Sequence, residues 1–567
     1  MMILAATLFL SLGLINLDFS RTWWRGQRLR LAIGVPIIFV YVYETLPPLV
    51  FPQALSLLLL SFVPNAAYSL VDSARSAVTI RALRIVSQRR LPALPYVIGL
   101  LALGLWLLVL VVAPVVDASG LRDLAGAQVS NAPPPAAKPE HLRVVPQVSA
   151  AFEGDKVIGQ LGSYYGINAD TYNIQPVNGQ LQWVAPLQFR DFVKWVTRGT
   201  TPGVVEVSAE HPDQAARLLL GAPMRYVPSA FLWADLRRHV YSTYGTRAIL
   251  ELTLQLDDHE KPMYLATLGR PTIGWTGDVV TGVVIVDPVS GAMTHYARQN
   301  FARLPGWVKR VYPPELVWQY NEWLGLYVHG WINSRLSQRD VHLPARQEVF
   351  GVIDPQGQFA WFCDHTSPSA NDRSMTGYTF TDTVTGKMAY YTGFNGYFNS
   401  EAADTSVGAF PTVRQAQLVP QQPVLYNLFG RPTWIVPVVA DNGKFQTLGL
   451  VLADGGHTVV GAVNANNPEA DAVTQLQGFV AASAGGRAAA AAADAGAVTR
   501  SGVVDRAIVV GDSLYVVLRG DKRVYKVDLS DPKTGLTRAG DRASITFVGG
   551  QGGVPVRVVR FANQSLQ

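Results

Sequence analysis

The sequence predicts an α-helical membrane region, followed by an α+β ectodomain of repeated helix and antiparallel-sheet units and a small C-terminal β-barrel. Three observations lead to this fold class. Hydrophobic residues make up 49% of the 567 residues, and the long apolar runs lie before residue 117. A strand–turn pattern recurs in the middle of the chain, and short strand-like runs separated by Gly and Asp end it. At roughly 100–200 residues per domain, this length requires three or four folded units.

Four apolar stretches define the predicted membrane region. They are Ile3–Leu17, Leu31–Glu44, Leu49–Val63 and Leu94–Val116. The last stretch has the ~20 apolar residues that a bilayer core requires. Prolines separate the second stretch from the third, which predicts either two short spans or a re-entrant hairpin over residues 31–63. The first stretch is interpreted as an uncleaved anchor, with a cleaved signal peptide as the alternative.

Two runs of arginines set the predicted orientation. Arg21, Arg25, Arg28 and Arg30 precede the second stretch, and Arg75, Arg81, Arg84, Arg89 and Arg90 precede the fourth. Positively charged loops stay in the cytoplasm, so an even number of crossings separates the two runs. Residues 65–90 are predicted to form a helix on the cytoplasmic membrane surface. The predicted localisation is the plasma (inner) membrane, multi-pass, with everything after Asp117 on the extracytoplasmic side.

Linkers divide the remainder of the chain. Asn131–Pro139 reads NAPPPAAKP, a stiff extended spacer, and residues 481–499 are nearly all Ala and Gly, which predicts a loose linker or an exposed helix. The five strand-like runs after residue 501 predict a small barrel of OB-like or SH3-like type. The predicted domains are a membrane region of four hydrophobic helices (1–118), a Pro/Ala-rich linker (119–150), a first α+β unit (151–226), repeated α+β units (227–480), an Ala/Gly-rich linker (481–500) and the barrel (501–567).

A hairpin pattern repeats within the predicted ectodomain. Residues 281–296, TGVVIVDPVSGAMTHY, and 376–391, TGYTFTDTVTGKMAYY, are identical at seven positions. In this pattern a strand runs into an Asp whose side chain caps the turn, and a Gly takes the left-handed position before the return strand. Weaker copies occur at 203–212 and 449–461.

An aromatic strand precedes each hairpin. Its aromatic residues are Trp183, Tyr264, Trp361 and Trp434. Each predicted unit is therefore a helix, an aromatic strand and a strand–Asp–x–x–x–Gly–strand hairpin. Such a unit resembles the PepSY-type module of bacterial extracytoplasmic proteins; the residues that carry the resemblance are Trp361, Asp382 and Gly386, and Tyr264, Asp287 and Gly291. The resemblance implies an envelope setting and a binding or inhibitory role, and it provides no catalytic residues.

Composition and motifs narrow the function classes. The net charge of +6 comes with no basic patch interleaved with aromatic residues, so no nucleic-acid partner is predicted. Cys363 is the single cysteine, which excludes an intramolecular disulfide and a CxxC motif. The sequence has no HExxH, GxSxG, Walker or GxGxxG signature in its required context.

Three polar clusters are candidates for chemistry. Cys363 and His365 could form a nucleophile and base, but residues two apart on a strand are separated by about 6–7 Å, which favours an ordinary strand cysteine. His329 is interpreted as a packed histidine, with a ligand or base as the alternative. Asp257–Glu260 is interpreted as a solvated turn, with a metal cluster as the alternative.

The favoured function is a membrane-anchored extracytoplasmic binding or scaffold protein of the bacterial envelope, within a larger membrane assembly. Its predicted partners are the bilayer and envelope proteins, and its oligomeric state is left open. A non-enzymatic protein is favoured, and no catalytic, cofactor-binding or metal residues are assigned. The tryptophan-rich helix 313–332 is expected to pack in the core, or else to expose an aromatic groove for a peptide or glycan. An envelope hydrolase and a membrane sensor are the alternative functions.

Overall fold

The computed structural model describes residues 1–15, 23–50, 53–55, 57–59, 61, 93–131, 137, 141–369, 371–393, 396–455, 457–463, 467–483, 497–510, 513–521, 523–528, 532–548 and 556–566. The predicted surface helix 65–90 lies outside these residues. So do most of the Pro-rich spacer, most of the Ala/Gly-rich linker and six of the fifteen residues of the third apolar stretch. The chain divides into an N-terminal body, Met1–Val463, and a C-terminal unit, Asn464–Gln567.

The predicted fold class is wrong, because the described chain is a β-rich body and not a multi-helix membrane region with separate modules attached. Met2–Ser11 and Leu12–Leu14 form a helix of 13 residues, which is too short to cross a bilayer core. The second apolar stretch belongs to a longer helix, Trp23–Thr45, whose first half carries Arg28 and Arg30. Those charges shorten its apolar part below the length of a span.

The multi-pass localisation is also wrong. Among the described residues, one helix is long and apolar enough to cross a membrane, within Gly99–Val116. It belongs to a continuous helical segment, residues 93–116, which contains a short π-helical stretch at Leu108–Val112. A single crossing does not make a multi-pass protein. A short helix, Ala118–Asp123, follows it.

The body is built from antiparallel sheets in which successive strands pair in order. In the described part there are four such sheets. Sheet 1 contains the strands Asn173–Val177, Gln180–Pro186, Thr201–Ser208 and Arg217–Met224, and sheet 2 contains Ala248–Leu256, Pro262–Arg270, Val279–Val286 and Met293–Ala297. Sheet 3 contains Phe350–Ile353, Phe359–Thr366, Gly377–Asp382 and Met388–Thr392, and sheet 4 contains Val424–Leu428, Arg431–Val439, Phe445–Leu452 and Thr458–Val460. Short strands extend two sheets: Gln128–Ser130 and Leu343–Pro344 in sheet 3, and Val419–Pro420 in sheet 4.

A helix precedes each sheet. These helices are Gln147–Ile158, Leu236–Tyr244, Pro314–Leu326 and Ser400–Gly408. A further helix, Phe192–Arg198, connects the second and third strands of sheet 1, and Gly330–Arg335 and Pro411–Gln415 lie in the connections before sheets 3 and 4. The sheets, with their helices, therefore form four repeats.

In repeats 1, 3 and 4 the tryptophan of the second strand anchors the segment that leads into the helix, called here the lead-in segment. The indole Nε1 of Trp183 donates to the carbonyl of Val145 at 2.9 Å, and Trp361 donates to Tyr312 at the same distance. Trp434 does the same to Phe398 in repeat 4. Because such a buried N–H would otherwise lack a partner, the second strand and the lead-in segment hold each other in place.

Each lead-in segment also bonds the turn after the third strand of its own sheet. The amides of Val311 and Tyr312 both donate to the carbonyl of Thr383, at 2.9 and 2.8 Å. Pairs of amides at 144–145 and 225–226 bond Ala209 and Pro288 in the same way. These hydrogen bonds join the beginning of each of these repeats to the end of its third strand.

The two hairpins predicted from the Asp–x–x–x–Gly pattern are confirmed. Asp382 Oδ1 accepts from the amides of residues 384 and 385, and Gly386 has a φ of 73°. Asp287 and Gly291 repeat this arrangement. A Cβ at Gly386 would lie 2.3 Å from the ring of Tyr312, so the glycine also makes room for the lead-in segment.

Successive sheets pack on one another, and the fourth contacts the first. Gln175 of sheet 1 bonds the backbone of sheet 2 at Leu254 and Leu256. The rings of Phe362 and Trp434 join sheets 3 and 4. In repeat 1, Ser149 donates to the Gly443 carbonyl of repeat 4 at 2.7 Å. This cyclic order of meander sheets is typical of β-propellers.

The C-terminal unit contains a helix, Pro468–Ser483, and a closed five-stranded barrel. Its strands are Ala497–Val510, Ser513–Leu518, Tyr525–Asp528, Arg542–Val548 and Val556–Asn563. The barrel core contains Leu514, Tyr525 and Phe547, which are at most 1% exposed.

Candidate functional site

Two arginines occupy equivalent places in repeats 1 and 3. Arg143 and Arg310 each stand just before a lead-in segment, and each stacks on the tryptophan of its own repeat. The guanidinium carbon of Arg143 lies 5.2 Å from the centroid of the Trp183 ring, and that of Arg310 lies 5.0 Å from Trp361. Arg143 also lies 5.2 Å from the ring of Phe350, so its guanidinium is enclosed by two aromatic faces.

Both arginines border one cavity of about 580 Å³, called here the arginine cavity. Its walls are aromatic, and exposed carboxylates stand at its rim. The wall includes Tyr172, Trp318 and Phe350, and the rim includes Asp170, Glu315 and Glu348. A cavity of this size admits a small molecule or a few residues of a peptide.

The two guanidiniums differ in how they are neutralised. Arg310 pairs with the partly buried carboxylate of Glu251, and its Nη1 donates to Asn173 at 3.0 Å. Arg143 donates through Nη2 to the amide oxygen of Gln422. Within the described residues, Nε and Nη1 of Arg143 have no hydrogen-bond partner.

Burial determines the electrostatics of Arg143. Only 3% of the residue is exposed, and this burial lowers its pKa to about 10, although Tyr426 and Glu348 act to raise the pKa. The side chain is therefore cationic at neutral pH. A buried cation without a full set of acceptors costs several kcal/mol.

Two of the polar groups on the wall of the cavity are already paired within the protein. Burial raises the pKa of the Glu251 carboxyl, but this group is already occupied by Arg310. Trp318 uses its Nε1 to bond the carbonyl of Arg346 at 2.8 Å. Cationic and aromatic surfaces in one enclosed space can hold an anionic or carbonyl group against a flat face.

The pair Cys363 and His365 is not a nucleophile and its base. Burial raises the pKa of the Cys363 thiol well above its usual value, so the reactive thiolate is disfavoured. Both ring nitrogens of His365 are engaged elsewhere: Nδ1 lies 2.8 Å from Nδ1 of His342, and Nε2 lies 3.0 Å from Oδ1 of Asn321. The strand cysteine favoured from the sequence is thereby supported.

The remaining sequence candidates are surface features. The prediction of a packed His329 is wrong: its side chain is 48% exposed and bonds Asp340 at 2.9 Å. The turn predicted at Asp257–Glu260 is confirmed, since Asp257 Oδ1 accepts from the amides of His259 and Lys261.

The tryptophan-rich helix divides its aromatic residues between core and cavity. Trp323 is 7% exposed and packs in the core, as the favoured interpretation had it. Trp318, on the same helix, lies on the wall of the arginine cavity.

Sequence reasoning missed Arg143 and Arg310. A signal for them is present, because Arg–x–x–Pro recurs at 143–146, 225–228 and 310–313, immediately before three of the lead-in helices or turns. The first two copies are 82 positions apart, close to the 81 positions between Trp183 and Tyr264. Their shared cavity becomes visible only when repeats 1 and 3 are placed in space.

No protein-family model matches the sequence, and no curated protein matches it. Solved structures with some likeness include Synechocystis apocarotenoid oxygenase. A tryptophan-to-alanine mutant is 9% identical, with coverage of 72% of this chain and 67% of that chain and a TM-score of 0.15. The cobalt-substituted form is 8% identical, with 70% and 65% coverage and a TM-score of 0.14. These scores are too low to support any argument about this chain.

Proposed function

We propose that this chain is a membrane-anchored binding protein that is held at a bilayer by the helix around Gly99–Val116 and takes its ligand in the arginine cavity. The observation that carries the anchor is the exposure of this apolar helix, of which 11% is buried in the body. A core helix of similar composition would be mostly buried. Leu100 and Leu101 are 70% and 67% exposed. Leaving them in water forgoes about 1.5–3 kcal/mol for each leucine that could be fully buried.

The helical segment has the length that a crossing requires. Its 24 residues, 93–116, would extend over about 36 Å, compared with about 30 Å for a hydrocarbon core. A bilayer therefore supplies the apolar medium that the body does not.

The anchor is tested with a fluorescent label at Leu108→Cys on the full chain reconstituted in phosphatidylcholine vesicles. Leu108 is 52% exposed and lies near the middle of the apolar helix. We expect strong quenching by nitroxide groups placed deep in the acyl chains. The matched control is Leu336→Cys, which is 81% exposed on the body and should be quenched only by aqueous iodide. Native Cys363 is buried and should remain unlabelled. Iodide quenching at both positions would refute the anchor.

The ligand site is tested with two probes that differ in one group. N-acetylglycine offers a carboxylate to Arg143, and N-acetylglycinamide offers a neutral amide. A bound probe raises the free energy of unfolding by about 1.4 kcal/mol when its concentration is ten times its Kd. We expect stabilisation by the carboxylate, loss of that stabilisation in Arg143→Met, and little response to the amide. An equal response of Arg143→Met and wild type to N-acetylglycine would exclude this cavity as the site.

A further inference from the structure

Large apolar side chains stand in water on one side of repeat 1. They are Phe192, Val193 and Val196, on the helix Phe192–Arg198, and Phe231, Leu232 and Trp233, in the turn before the helix Leu236–Tyr244. Val193, Val196 and Trp233 are 66%, 61% and 66% exposed. These six residues are called here the aromatic surface. Contiguous exposed apolar groups of this kind mark an interaction site more often than scattered ones do.

The side chains of the aromatic surface are held in place by contacts between their rings. The rings of Phe192 and Phe231 meet edge to face with centroids 5.3 Å apart, and Trp233 lies 6.0 Å from Trp195. Trp195 is 7% exposed and forms the floor beneath them. Leu232 has a φ of 53°, a left-handed conformation that costs a non-glycine residue roughly 1–2 kcal/mol. The body thus maintains a strained turn that presents apolar side chains outward.

Basic side chains border this surface. Lys194 and Arg198 place their charges 5.0 and 4.0 Å from the ring centroid of Tyr164, and Arg190 bonds the carbonyl of Tyr165. The acid of this helix, Asp191, accepts from the amide of Lys194 as the helix cap. Its charge is therefore directed at the backbone, and the border presents a net positive charge.

The aromatic surface lies beside the residues that end and follow the helix Trp23–Thr45. The helix that follows Trp233 contacts the end of the N-terminal helix Trp23–Thr45: Arg238 donates to the Tyr43 carbonyl at 3.3 Å, and the Tyr241 hydroxyl donates to the Pro47 carbonyl at 2.8 Å. One buried cluster contains Trp195, Ala230 and Leu46.

The apolar helix joins the body on the equivalent side of the next repeat. A Cβ at Gly274, between the second and third strands of sheet 2, would lie 2.1 Å from the Val109 carbonyl. The helix Phe192–Arg198 makes the same connection in sheet 1. Corresponding connections of neighbouring repeats thus carry the helix contact and the aromatic surface.

We propose that the aromatic surface docks the body onto the anionic headgroup layer of the bilayer that holds the apolar helix. The proposal rests on the membrane anchor put forward above. Aromatic side chains concentrate at the headgroup level of bilayers, where an apolar ring and a polar surrounding are both accommodated. The cationic border is complementary to anionic lipids, which attract basic residues near the surface. The body would then lie against the membrane instead of standing away from it.

Spin labels at three positions of the full chain test this docking. The positions are Val196→Cys on the aromatic surface, Leu108→Cys on the apolar helix and Leu336→Cys as the exposed control. Each variant is reconstituted in vesicles of phosphatidylcholine with phosphatidylglycerol, and in phosphatidylcholine alone. Accessibility to oxygen, which partitions into lipid, is compared with accessibility to a water-soluble nickel chelate.

We expect the Val196 label to favour oxygen in the anionic vesicles, as the Leu108 label does, while the Leu336 label favours the chelate. Replacing Lys194 and Arg198 by glutamine should lower the ratio of docked to undocked body about thirty-fold in anionic vesicles. A Val196 label open to the chelate beside a lipid-exposed Leu108 label would overturn the docking alone. A Val196 label shielded from both reagents would identify a protein contact and overturn it as well. A Leu108 label open to the chelate would overturn the anchor and the docking together.

Discussion

The equivalent arginines of repeats 1 and 3 allow a matched perturbation. Arg143→Met and Arg310→Met remove the same group from the same position of two repeats and keep an unbranched apolar side chain. We expect opposite outcomes, because Arg310 neutralises the partly buried carboxylate of Glu251, whereas Arg143 faces no carboxylate at bonding distance among the described residues. The comparison separates a structural arginine from one that is held ready for a ligand.

The magnitudes follow from what each substitution leaves behind. Arg310→Met leaves Glu251 partly buried without a counterion, which costs about 3–5 kcal/mol. Arg143→Met removes stacking on Trp183 and Phe350, worth about 1–2 kcal/mol for a desolvated cation–π contact, and a hydrogen bond to Gln422, worth about 1 kcal/mol. It also removes the desolvation penalty of a buried cation, which is several kcal/mol. The net change at Arg143 is therefore near zero or stabilising.

Urea unfolding of the detergent-solubilised chain, followed by tryptophan fluorescence, measures both free energies. The second change Glu251→Gln, added to Arg310→Met, should recover part of the lost stability, since it removes the stranded charge. The reasoning is refuted if Arg143→Met destabilises the protein as much as Arg310→Met does. That outcome would mean that Arg143 is neutralised in the folded protein and needs no ligand.

Two further predictions concern the buried histidines and the hairpin glycine. Burial, with the charge of Arg122 contributing, lowers the pKa of His342 from 6.5 to about 4. Between pH 6.5 and pH 4 the unfolded state therefore binds more protons than the folded state, so the free energy of unfolding falls as the pH drops. This group contributes about 3 kcal/mol of that loss. His342→Asn, which retains a group able to hydrogen-bond His365, should remove this part of the slope in urea titrations. Parallel pH curves for the variant and the wild type would contradict this prediction. Gly386→Ala should destabilise the protein by more than about 2 kcal/mol, because the new methyl group would clash with the ring of Tyr312. The matched control is Gly357→Ala, which has a φ of 80° and open space around it and should cost about 1 kcal/mol. Equal unfolding midpoints for the two alanine variants would exclude the steric role of Gly386.

Features that depend on residues close together in the chain could be predicted from the sequence. The hairpin at Asp382 and Gly386 could be predicted because a capping side chain and a left-handed glycine act within five residues. The aromatic strand at Trp361 could be predicted for a similar reason, because the same local order of aromatic strand and hairpin recurs along the chain. The long apolar helix was visible because crossing a bilayer requires an unbroken run of apolar residues.

The number of apolar stretches that are long enough to be spans became clear from the helix boundaries in the structure. The shared cavity of Arg143 and Arg310 became clear from the packing of the repeats. The stretch from Leu31 is not an independent span, because its helix continues back through Arg28 and Arg30. Arg143 and Arg310 share a cavity although 167 positions separate them, because Arg310 of repeat 3 reaches Asn173 in the first strand of sheet 1. Neighbouring residues determine each strand and turn. Which faces become buried depends on contacts among all four repeats, and no short stretch of the sequence contains those contacts.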